Sequence, residues 1–151
     1  MIDKNRERLN QLLIERSRNL DKVSYFYDYF DQFAYLYLKE VVMTINNEIE
    51  NKVNDSLMIF SDHPYESSDS RFFVMVQLFV HNQRRNAPFL NNSENYPLIK
   101  FEGDEFSGNV KSTISFGNKL NQVTEYSVTE LTDKDKIFEI ILNFLDAVYN
   151  I

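Results

Sequence analysis

The chain has 151 residues, 43% of them hydrophobic, and a formal net charge of −7, the size and composition of one globular domain with one core. It holds no cysteine, which excludes disulfides, thiolate nucleophiles and cysteine-based metal sites. An acidic balance repels the phosphate backbones that dominate nucleic-acid affinity, so a general DNA or RNA binder is not expected, whereas a partner with a basic surface is compatible with it.

The charge is uneven. Residues 1–23 carry six basic against four acidic side chains, 24–70 two against nine, 71–101 four against one, and 102–151 four against nine. The segment Met1–Arg8 is charged and lacks the apolar stretch of a secretory signal. The longest charge-free apolar run, Phe72 to Val80, is far shorter than the ~20 residues of a membrane-spanning helix. A cytoplasmic protein with no membrane segment is the expectation.

From Asp3 to about Asn54 there is no Gly and no Pro, and apolar residues recur at helical spacing from Leu9 through Leu13, Leu20, Tyr27, Phe30, Ala34, Val41 and Ile45 to Ile49. The pattern predicts one long helix, or two with a break near 17–21, where apolar density dips and Asn19 and Asp21 could cap. Projected at about 100° per residue, Phe26, Phe30 and Phe33 fall with Tyr37 on one narrow stripe. Tyr25, Tyr29, Leu36 and Met43 widen the apolar arc on one flank. An arc that wide is expected to touch a sheet and also a second helix or a second subunit.

Leu57–Phe60 is expected to be a short strand. Arg71–His81 is the clearest strand, with its even residues (Phe72, Val74, Val76, Leu78, Val80) apolar and its odd ones (Phe73, Met75, Gln77, Phe79) nearly so, which predicts cover on both faces and hence a homodimer. Pro97–Glu102 and Asn109–Phe116 alternate cleanly and flank a turn between Gly103 and Gly108. A further strand is expected within Gln122–Glu130. Thr132 and Asp135 resemble a capping box opening a C-terminal helix from Asp133 to about Tyr149. The expected architecture is a single α+β domain over residues 1–151: a long helix packed on a four- or five-stranded antiparallel sheet and closed by a second helix.

Chemistry is sparse. There are two histidines. His81 ends the most apolar strand, and His63 sits with Asp62, Glu66 and Asp69 in a loop that matches no calcium or zinc spacing. The three glycines form no phosphate-binding motif. Neither a metal nor a cofactor is expected. In the one positively charged stretch, the long loop from Asn82 to Tyr96, Arg84, Arg85 and Phe89 are the candidate partner-binding residues. Tyr25, Tyr29 and Tyr37 are the candidate ligand-binding residues of an aromatic pocket between the long helix and the sheet. The leading expectation is a non-enzymatic protein-interaction module of the adaptor, inhibitor, immunity-type or chaperone-like kind. The alternative is a small-molecule-binding domain using the tyrosine pocket.

Overall fold

The computed structural model describes residues 2–61, 71–79 and 96–151. Helix α1 (Ile2–Gln32) runs through a π-helical turn (Phe33–Tyr37) into α2 (Leu38–Lys52). Five strands follow: β1 (Ser56–Phe60), β2 (Phe72–Phe79), β3 (Leu98–Asp104), β4 (Asn109–Phe116) and β5 (Leu120–Ser127). They form a meander in which each strand pairs antiparallel with the next. A 3₁₀ turn (Val128–Thr132) leads into α3 (Lys134–Tyr149), completing the α+β arrangement.

The helix is unbroken across 17–21. With no Gly or Pro there, Asn19 and Asp21 each cost a helix only a few tenths of a kcal/mol, too little to stop it. The irregularity comes later, where the Leu38 N–H donates to the Phe33 carbonyl in place of an ordinary α-helical partner. One extra residue in that turn rotates everything after it by about 100°. Leu38 is therefore fully buried, along with Val41, Val42 and Ile45, while Tyr37 is only half-buried. The straight projection that aligned Tyr37 with the phenylalanines is corrected by this turn.

Where α2 ends, the N–H groups of Val53 and Asn54 both donate to the Ile49 carbonyl, at 2.9 and 3.1 Å. Asn54 takes a left-handed conformation (φ 62°), a helix-ending position that asparagine tolerates better than most residues. Asn46 then ties α2 to β1: its Nδ2 donates to the Leu57 carbonyl at 2.9 Å and its Oδ1 accepts from the Leu57 N–H at 2.7 Å. At the other end, the Tyr149 hydroxyl of α3 donates to the buried Asp55 carboxylate at 3.0 Å. Burial and that carboxylate together push the tyrosine's pKa well above its ordinary value. The helix α3 is capped by Asp133, whose carboxylate accepts from the Asp135 N–H, whereas Thr132 donates to Thr129. The cap thus lies one residue beyond the expected box.

The main core lies between the helices and one sheet face. Phe72, Val74, Val76 and Leu78 of β2 join Ile99 and Phe101 of β3 in packing with Phe26, Phe30, Phe33, Ile137, Ile141 and Phe144. On the other face Phe73, Met75 and Leu98 form a smaller buried cluster. Met75 is 0% exposed in the single chain. Both faces of β2 are thus covered without a second subunit, so the expected dimer finds no support there.

Gly103 sets how closely the helix approaches. A Cβ at this position would lie 2.6 Å from Cζ of Phe26 and 2.9 Å from Cβ of Phe72. Only a residue without a side chain lets the Phe26 ring settle edge-on to Phe72, 4.8 Å between centroids, and such ring pairs contribute about 0.5–1.5 kcal/mol beyond their buried area. Gly103→Ala is expected to cost about 1–3 kcal/mol by overpacking, lowering the melting midpoint followed by circular dichroism by several degrees. A midpoint equal to wild type would show that Phe26 is not held by this contact.

Candidate functional site

The first buried residue of the long helix is Phe26. From Ile2 to Tyr25, about 36 Å of helix, every side chain is exposed except the half-buried Val23. This projecting stalk is not uniformly polar. Ile2, Leu9, Leu12, Leu13, Ile14 and Leu20 are each at least 50% exposed. At about 100° per residue Ile2, Leu9, Leu13 and Leu20 fall within about 40° of one another, in line with Tyr27 and roughly 100° from the core-facing Phe26, Phe30 and Phe33. The opposite arc holds Asp3, Lys4, Glu7, Arg8, Glu15, Arg18, Asp21 and Lys22, four acidic and four basic residues, with Ile14 the one large aliphatic among them. The two surplus cations, Arg6 and Arg16, lie along the apolar stripe itself.

At the base of the stalk a cavity of about 610 Å³ opens between α1, the β3–β4 turn and the start of the 3₁₀ turn. Tyr25, Phe26 and Tyr29 form its helical wall, with Lys22 at the outer end, and Phe106 and Gly108 face them from the turn. The turn is shaped by Asp104, whose carboxylate accepts from the Phe106 N–H at 3.0 Å while its carbonyl accepts from Gly108 at 2.9 Å. Gly108 adopts φ +77°, which favours glycine. Its carbonyl in turn accepts from Val128 at 2.9 Å, tying the turn to the third wall. There Ser127 and Thr129 share a hydroxyl–hydroxyl hydrogen bond of 2.6 Å. The cavity combines aromatic faces with hydroxyl tips, the Lys22 ammonium and the Glu105 carboxylate, the usual makeup of a small-ligand site.

Two of the three tyrosines named from the sequence, Tyr25 and Tyr29, meet at this cavity. Tyr37 does not line it; the Lys134 ammonium lies over its ring, 5.4 Å from the centroid, and pairs with Glu40. That carboxylate holds the ammonium's pKa above its ordinary value. Arg84, Arg85 and Phe89, with His63 and His81, lie outside the described residues. Lys22 and Phe106 were not singled out from the sequence. The available signal was a lone phenylalanine in a turn otherwise made of polar residues and glycine; in the fold it is 68% exposed.

On the opposite flank of α1 a second cavity, about 450 Å³, is bordered by Tyr27, Asp31, Tyr35 and Arg71. Burial, and then the neighbouring Asp28 charge, hold the Asp31 carboxyl above its usual range. A carboxyl whose pKa rises on folding favours the fold only while protonated, and this contribution is lost as pH climbs through the folded value. Asp31→Asn is therefore expected to raise the melting midpoint slightly at neutral pH, the effect amounting to well under about 1 kcal/mol because solvent still screens this half-buried group. The difference from wild type should vanish below about pH 3. A constant difference across pH would mean the charge is not responsible.

No family model, no curated protein and no solved structure matches this chain. The site thus rests on its own geometry.

Proposed function

We propose that the chain is a non-enzymatic protein-interaction module that works through its N-terminal helical stalk. The single observation that carries this reading is the row of half-exposed aliphatic side chains along a helix that projects from the core. Isolated helices are marginal in water and draw most of their stability from packing an apolar face. A stalk with such a face and no covering neighbour among the described residues is poised for a protein surface. The rest of the chain, residues 24–151, has ten basic against nineteen acidic side chains, and this acidic body favours partners whose own surface is basic.

Affinity capture from an extract of the source cell, comparing wild type with Leu9→Glu/Leu13→Glu/Leu20→Glu, tests the proposal. Captured proteins are expected to drop at least tenfold with the variant, while its near-UV circular dichroism stays unchanged because these side chains are not part of the core. Equal capture by both chains would overturn it.

The cavity at the stalk base favours a second reading, a small-molecule site walled by Tyr25 and Tyr29. An anionic aromatic dye such as anilinonaphthalene sulfonate is then expected to bind the folded chain with micromolar affinity, as a few hundred Å³ of aromatic-lined space allows. Tyr29→Ala should weaken it about tenfold. Dye fluorescence unaltered by the substitution would remove this reading.

A further inference from the structure

The exposed stripe of the stalk has a repeat that specifies more than a sticky surface. Ile2, Leu9, Leu13, Leu20, Val23 and Tyr27 are separated by seven, four, seven, three and four residues, the spacing of one seam of a two-helix coil. We infer that the stalk pairs with the stalk of a second copy of this chain, antiparallel, with Leu13 of each copy level with Arg16 of the other at the centre of the pair. This rests on the interaction reading above and names its partner.

Three observations favour a second copy and fix the orientation. The stripe is apolar enough to serve both sides of a seam, and two stalks overlapping along their length would bury on the order of 1,000 Å², the lower bound for a stable interface. The polar arc facing away is charge-balanced, so two stalks do not repel through it. The arginines decide direction. In a parallel pair, Arg6 would face Arg6 and Arg16 would face Arg16 inside the seam, two like-charge contacts at close range. In this antiparallel pair Leu9 comes level with Leu20, Arg6 with Val23 and Arg16 with Leu13 of the other copy. The arginine stems then pack on apolar surface and the guanidiniums reach water. The two bodies fall at opposite ends of the paired stalks, where their negative charges are kept apart.

Because the chain has no cysteine, single cysteines introduced into the stalk report its register. Light scattering at about 100 μM, a concentration that populates a pair of micromolar affinity, is expected to give the mass of two chains for wild type and of one chain for Leu9→Glu/Leu13→Glu/Leu20→Glu. When Leu9→Cys and Leu20→Cys chains are mixed in equal amounts and mildly oxidised, the mixed disulfide is expected to exceed each homodisulfide at least fivefold. A dimer that survives the triple substitution, or homodisulfides as the main product, overturns the proposal. So does a monomeric wild type. If that monomer still loses its captured proteins with the triple variant, self-pairing alone fails; if capture is also unaffected, the interaction reading fails with it.

Discussion

The seat of Phe26 against Gly103 is the constraint on which the rest of the architecture depends. It is the point at which the long helix first touches the sheet, and it fixes both depth and rotation of everything downstream. The ring reaches β3 only because position 103 has no side chain. Once there, it stacks with Phe30 at 5.9 Å and meets Phe72 edge-on. Phe30 and Phe33 carry the row forward to Phe72 and Phe101. Before Phe26 the same helix is exposed; after it, the helix is core.

The π turn at Phe33–Tyr37 solves a problem that this seating creates. An unmodified α-helix continuing from Phe33 would bring Tyr37 to the sheet and leave Leu38 to one side. Inserting one residue brings Leu38, Val41, Val42 and Ile45 round to the sheet instead. Aliphatic chains then pack over β1 and β2, with Asn46 placed to clasp the Leu57 backbone. The Tyr37 ring, half-buried, receives a lysine from α3.

The order of elements, the five antiparallel strands and the closing helix are legible in the sequence because alternation and helical periodicity are strong over Phe72–Phe79, Asn109–Phe116 and Lys134–Tyr149. The phenylalanine stripe is legible for the same reason. What escapes is set by single hydrogen bonds or by contacts between distant residues. The Leu38–Phe33 bond that shifts the register leaves no mark in composition. Cover for Met75 on the far sheet face cannot be read from β2 alone, so the strand suggested a subunit interface that its burial does not require. The cavity needed the β3–β4 turn to fold back onto Tyr25 and Tyr29, a meeting of segments some eighty residues apart. The stalk was visible in part: the row of leucines was there, but its angular offset from the phenylalanines carries the information, and a single apolar arc merges the two.

That offset separates the two candidate surfaces in space. The leucine row points the way Tyr27 points, toward the start of β2, where the Tyr27 ring leans edge-on against Phe72. The tyrosine-walled cavity opens on the other flank, beside Ser127 and Thr129. Anything gripping the stalk along its apolar row leaves the mouth of the cavity clear, and a molecule in the cavity leaves the row clear. Simultaneous occupancy is sterically allowed, and since Lys22, Tyr25 and Tyr29 belong to the same rigid rod as Leu20 and Val23, load applied to one surface is delivered directly to the wall of the other.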